Sequence, residues 1–221
     1  MNKTTKDGAV NFLMALYFGI KPEDKEDIIV DCLINRAYRD AASHVLSVKD
    51  DYKKTIKLNC IIKIKDFLKK LNDEKDLNYD DEHRKICTEL FEEFEKENKE
   101  SNIYKEDKNG KYRKMTYGIA QKWVNMSVKY VYTIMLIEKY ESFFDSFFSS
   151  YIDNFHVPLD SIMIEKIKSE LKVNNENFGI DVWSSIDDYD KYLKYQKKIK
   201  KCFPNGYNNA FEWEYLSWLN H

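Results

Sequence analysis

Lys122, Asn125 and Lys129 recur at helical spacing in an otherwise apolar stretch, Tyr117-Gly-Ile-Ala-Gln-Lys-Trp-Val-Asn-Met-Ser-Val-Lys-Tyr130. With Tyr132 and Thr133 they fall within about a third of a turn at roughly 100° per residue, a polar seam on an apolar rod. Asp160 follows Pro158 at the head of a second apolar run, Leu159, Ile162, Met163 and Ile167. A lysine taken out of water loses proton affinity and becomes a nucleophile toward a carbonyl carbon. An aspartate beside it supplies a proton acceptor and a stabilising negative charge. Two readings of the seam stay open: the solvent edge of the helix, because lysine stems snorkel easily, or the lining of a pocket. Asp160 likewise reads either as a first-turn acid facing the helix dipole or as the partner of Lys122. His156 reads as a hydrogen-bonded boundary histidine or as part of the same site.

The elements that must position these side chains are helical. Only 6 Gly and 3 Pro occur in 221 residues, too little punctuation for a sheet-rich chain. Apolar periodicity predicts helices over 9–18, from Pro22 to about 48, over 56–71, and over 80–99 with Ile86, Leu90, Phe91 and Phe94 as the buried stripe. Residues 97–113 form a charged loop with Asn109-Gly110 as its turn. Further helices are expected over 117–140, 141–151 and from Pro158 to about 171, with Pro158 in the first turn. Ser184-Ser-Ile-Asp187 resembles a capping box; a lysine-rich helix follows it, and an aromatic helix over 210–219 ends the chain. The expected architecture is all-α, a two-lobed helical domain of about eight to ten helices. Either an N-terminal lobe covers 1–100 and a C-terminal lobe over 101–221 carries the site, or the two are a single integrated domain.

Taken together, Gln121-Lys122, Asn125, Lys129-Tyr130 and Val157-Pro158-Leu159-Asp160-Ser161 resemble the catalytic half of helix-hairpin-helix DNA glycosylases, the archaeal 8-oxoguanine glycosylase type in particular. The resemblance spans about residues 115 to 170. It implies a Schiff-base lysine at Lys122 that attacks the deoxyribose C1′, and a catalytic aspartate at Asp160. Gln121 and Asn125 would orient, and Lys129, Trp123 and His156 would contact substrate. A flipped base needs stacking partners, which Trp123, Trp213 or Trp218 could supply. Where the family's hairpin is rich in glycine, Met115-Thr-Tyr-Gly118-Ile-Ala keeps one glycine and no proline. The C-terminal Phe211-Glu-Trp-Glu-Tyr-Leu-Ser-Trp218 and the Trp183 turn lie outside the family pattern and suggest a separate bacterial-type group of helical proteins, distantly related.

Net charge is −2, which counts against a dedicated non-specific nucleic-acid binder. Two basic stretches are local exceptions. One is Lys105, Lys108, Lys111, Arg113 and Lys114; the other runs from Lys191 to Lys201 with Tyr189, Tyr192 and Tyr195 interleaved. Each reads either as a phosphate track or as a solvated helix face. The cysteines Cys32, Cys60, Cys87 and Cys202 are scattered and suit reduced, mostly buried thiols. No metal set is expected: Glu92, Glu93, Glu95 and Glu97 read as a solvated face. No leader-like segment or span-length apolar run is present, so a cytoplasmic location is expected. The expected function is a DNA glycosylase/AP lyase-like protein with no cofactor and DNA as partner. The rival is a non-catalytic all-α DNA- or protein-binding domain, or a helical accessory subunit that uses its last helix.

Overall fold

The structure is a computed structural model that describes residues 3–107, 109–137, 140, 143–144, 146–171, 179 and 182–219. Among these the chain is all-α, and its only extended pairings are two isolated bridges, Val48 with Tyr104 and Glu106 with Tyr112. The helices are α1 (Lys3–Phe18), α2 (Glu26–Ala41), α3 (Asp50–Asp73), α4 (Tyr79–Ser101), α5 (Tyr117–Met135), α6 (Ser161–Glu170), α7 (Tyr189–Cys202) and α8 (Ala210–Leu219). Short 3₁₀ turns run Phe148–Asn154 and Trp183–Ser185. No helix among the described residues is long and apolar enough to cross a membrane.

Local chemistry sets most boundaries. Gly19, at φ 78°, ends α1 in an αL motif, its amide bonding the Ala15 carbonyl at 3.0 Å. Acidic first turns, Asp50-Asp51 in α3 and Asp80-Asp81-Glu82 in α4, face the positive ends of their helix dipoles. Thr116 caps α5 and Asp160 caps α6, each side chain accepting from the third amide of its helix. The 97–113 segment contains the expected Asn109-Gly110 turn. There Asp107 Oδ1 accepts from the Asn109 and Lys111 amides at 2.8 and 3.0 Å. Those backbone bonds hold the Asp107 carboxyl below its usual range.

Several expected boundaries are corrected. The second helix stops at Ala41, where Ala42 and Ser43 turn back on the Tyr38 carbonyl. α5 stops at Met135, and the helix expected over 141–151 is absent from its described residues. Phe144 sits at φ 54°, a left-handed backbone that no α-helix continues. The aromatics there are nonetheless core: Phe143, Phe144, Phe148 and Tyr151 are all buried. Pro158 lies ahead of the α6 cap rather than in the first turn. Ser184–Asp187 does not start a helix either. Asp188 caps α7, its Oδ1 accepting from the Asp190 amide at 2.8 Å. Of the cysteines, Cys60 and Cys87 are buried, but Cys202 is exposed and Cys32 only half-buried.

One apolar cluster runs through both halves of the chain, from Met14 to Trp213. α5 is its axis: it packs against α2, α3, α4, α7 and the Trp183 turn. Trp123 is fully buried on α5, stacks edge-on against Tyr38, and donates its indole N–H to the Ile34 carbonyl at 3.1 Å. That placement removes Trp123 as a stacking surface for a ligand. It holds α5 on α2 instead.

Candidate functional site

The seam on α5 is not a solvent edge. Lys122 is 9% exposed, Lys129 8% and Asn125 0%. A helix buried nearly all round must give each polar group on it a partner, and the three find different ones.

Lys122 meets Asp160. Its Nζ lies 3.4 Å from Asp160 Oδ2 across 38 positions of sequence, and 4.6 Å from the centre of the Trp183 ring. The two carboxylate oxygens of Asp160 divide their work: Oδ1 accepts the Met163 amide at 2.9 Å as the α6 cap, leaving Oδ2 for the lysine. Trp183 reaches the ammonium because its backbone lies directly on the first turn of α5. Gly118 makes this approach possible, since a Cβ there would stand 1.9 Å from the Trp183 carbonyl oxygen. Two bonds fasten the strap: the Gly118 amide to the Ile186 carbonyl at 2.9 Å, and Thr116 Oγ1 to the Ser184 carbonyl at 2.8 Å. Gly118 therefore serves helix-to-strap contact, a use of glycine unlike a phosphate-gripping hairpin.

The segment that carries Asp160 is extended, and two buried glutamines hold it where a neighbouring strand would otherwise do so. Gln196 on α7 accepts from the Val157 amide at 2.9 Å and donates to the Val157 carbonyl at 2.8 Å. Gln121 donates to the Leu159 carbonyl at 3.2 Å and to the Gly118 carbonyl at 2.8 Å. Its own Oε1 accepts from Asn125 at 2.9 Å. Gln121 is thus a bracket beside the Lys–Asp pair rather than a group open to solvent.

Asn125 and His156 belong to a second, deeper system. Asp80 Oδ1 and His156 Nε2 are 2.9 Å apart, and His156 Nδ1 and the Tyr192 hydroxyl 3.0 Å. Asn125 Nδ2 donates to the same hydroxyl at 2.9 Å, while Asn125 Oδ1 faces His83 Nε2 at 2.8 Å. His83 Nδ1 ends the chain on the Tyr189 hydroxyl at 2.7 Å. Counting donors assigns the protons. Both hydrogens of the Asn125 amide are spent on Gln121 and Tyr192, so the Tyr192 hydroxyl must give its own to His156 Nδ1. His156 then carries its proton on Nε2, toward Asp80. His83 also carries its proton on Nε2, and Tyr189 donates to its Nδ1.

Both imidazoles in this assignment are neutral. Burial pushes the His156 pKa down to about 4 against the pull of Asp80, and pushes His83 well below its usual value. The hydrogen bond from His156 in turn lowers the Asp80 carboxyl to about 2. Burial raises the Tyr192 hydroxyl well above its ordinary range. His83 and Asp80 were not singled out from the sequence, and Tyr189 and Tyr192 were read only as tyrosines interleaved in a lysine track. The one available signal was His83-x-x-x-Cys87 on the buried stripe of α4.

Lys129 pairs with Glu214 of α8 at 2.7 Å. The Tyr215 and Trp218 rings stand 5.7 and 5.6 Å from its ammonium. Burial raises the Glu214 carboxyl, opposed by Lys129, and Glu214 Oε2 is buried without a hydrogen-bond partner. Trp213 is buried and donates to Glu170 at 2.9 Å, so of the C-terminal tryptophans Trp218 keeps an exposed face.

On α7 the interleaved tyrosines Tyr189, Tyr192 and Tyr195 point inward and are buried, which removes them as base-stacking groups. Lys191, Lys194, Lys197 and Lys201 face solvent. In the loop cluster Arg113 is tied to Asp107 at 3.1 Å, and Lys108 lies outside the described residues.

No family model, curated protein or solved structure matches this chain.

Proposed function

We propose that the protein acts on damaged or modified DNA as a glycosylase with AP-lyase chemistry, Lys122 serving as nucleophile and Asp160 as its acid/base and electrostatic partner. The observation that carries this reading is the 3.4 Å approach of Lys122 Nζ to Asp160 Oδ2 at a partly covered edge of the core. Asp160 takes a proton from the Lys122 ammonium, and the free amine attacks C1′ of the deoxyribose. The base leaves with the electron pair of the glycosidic bond and is protonated. Ring opening at C1′–O4′ gives the lysine imine, and loss of a C2′ proton then expels the 3′-phosphate. Trp183, over the amine, supplies the ring face that Trp123 does not. Gln121 and Gln196 hold the aspartate-bearing segment in register, and the solvent-facing lysines of α7 offer contacts to phosphates.

The test is borohydride trapping on duplex and single-stranded oligonucleotides bearing an abasic site, 8-oxoguanine or uracil. A covalent adduct that is lost in Lys122→Ala is expected. No adduct with any substrate would sink the enzyme reading.

A second reading is favoured by the double duty of Asp160, which caps α6 while it pairs. In it the pair is a structural lock in a non-catalytic helical domain that binds DNA or protein. Lys122→Met then leaves any such binding unchanged.

A further inference from the structure

A separate cleft opens between the end of α5, the Phe148–Asn154 turn and the outer face of α8. It encloses about 370 Å³, within the range of small-molecule sites. Its walls are Tyr132, Leu136, Ile152, Tyr215 and Leu216; the charged side chains lining it are Asp153 and Glu212. Asn209, 8% exposed, builds the polar end: its Nδ2 donates to Asp153 Oδ1 at 3.0 Å, and its Oδ1 accepts the Glu212 amide at 2.8 Å. Glu212 Oε2 accepts from the amide and side chain of Asn208 at 2.7 and 2.8 Å. Among the described residues this leaves Asp153 Oδ2 and Glu212 Oε1 without a hydrogen bond. Lys200 hangs on the Asn154 carbonyl at 2.7 Å and shares the field of Asp153, so Glu212 carries the uncompensated charge.

We propose that this cleft binds a small organic cation, an aromatic primary amine, with its ring between Tyr132 and Tyr215 and its ammonium on Glu212 and Asp153. The walls ask for an apolar, planar body, because tyrosine faces reward rings and cations alike. The two acids, with no basic side chain among the lining residues, select the sign of the head group. The proposal does not depend on DNA chemistry at Lys122.

Phenethylamine and phenylacetate, matched in body and opposite in charge, are the probes, titrated into the full chain and followed by ¹H–¹⁵N correlation spectra. Saturable binding of the amine is expected, with the carboxylate weaker by about tenfold or more. Glu212→Gln keeps an amide oxygen for Asn208 and should cost the amine about tenfold while bringing phenylacetate closer to it in affinity. Leu136→Ala, on a wall residue that is 59% exposed and so safe for folding, should weaken the amine modestly. Equal binding of both probes, no saturable binding, or indifference to both variants would overturn the proposal.

Discussion

Two polar systems grow from one helix and differ in kind. The Lys122–Asp160 pair sits at the edge of the core. It joins two charges, and each partner has a further neighbour: the Trp183 ring for the lysine, the α6 amide for the aspartate. The chain from Asp80 through His156, Tyr192, Asn125 and His83 to Tyr189 lies deeper. Apart from the Asp80 carboxylate it is neutral, with every donor and acceptor assigned. An ion pair at the rim of the core, with both side chains mostly buried, is stable only while both charges are present; a saturated neutral chain in the interior contributes specificity and has no spare valence for a substrate. Under the proposed function chemistry belongs to Lys122 and architecture to Asn125, although the two residues are one helical turn apart.

The sharpest way to break this contrast is Asn125→Leu. It strips partners from His83, Tyr192 and Gln121 at once, and about 3 kcal/mol or more of unfolding free energy should be lost in urea. A loss under about 1 kcal/mol would mean that the chain is not saturated as assigned.

Acid comes next. The folded-state pKa of His156 is depressed to about 4, and that of His83 lies well below its usual value. Between the ordinary histidine value near 6.5 and pH 4 the unfolded chain therefore binds more protons than the folded one. Stability should be full above about pH 6.5 and fall continuously toward pH 4. A further loss should follow below the ordinary aspartate range, as Asp80, held at about 2, is forced to protonate. A flat stability profile from pH 7 to 4.5 would contradict the buried neutral assignment.

The smallest effect belongs to the pair. Lys122→Met trades the ion for an apolar stem of similar length but leaves the mostly buried Asp160 carboxylate with only its α6 cap bond, so about 1 to 2 kcal/mol of stability should be lost. A large loss would move Lys122 from the reactive system into the structural one.

Much of the helical layout was legible because apolar spacing reports burial directly: of the expected α4 stripe Ile86, Leu90 and Phe94 are buried and Phe91 is half-buried, and α8 spans the expected residues. The approach of Lys122 to Asp160 stayed open in the sequence, where Asp160 read either as a helix-terminal acid or as the partner of the lysine; the fold gives it both places. The seam was half readable. Its polarity was visible, but whether it faced water depended on α7 and α8, which close over it from positions 67 to 85 residues away, as with Asn125–Tyr192 and Lys129–Glu214. His83 was invisible for the same reason: its partners lie 42 and 106 residues along the chain. The stretch 141–151 misled because Phe143, Phe144, Phe147 and Phe148 carry a helix-like spacing. Burial of aromatics specifies where rings go, not how the backbone bends between them.

The assigned hydrogen-bond chain has a spectroscopic corollary. Its tyrosine hydroxyl and imidazole hydrogens are sealed from water behind α4, α5 and α7. Such hydrogens leave only when the surrounding helices part. At neutral pH the Nε2 hydrogens of His83 and His156 and the hydroxyl hydrogens of Tyr189 and Tyr192 therefore form a set of slow clocks inside the molecule. Their proton resonances would stay sharp and downfield, and would time the opening of the helix packing around them.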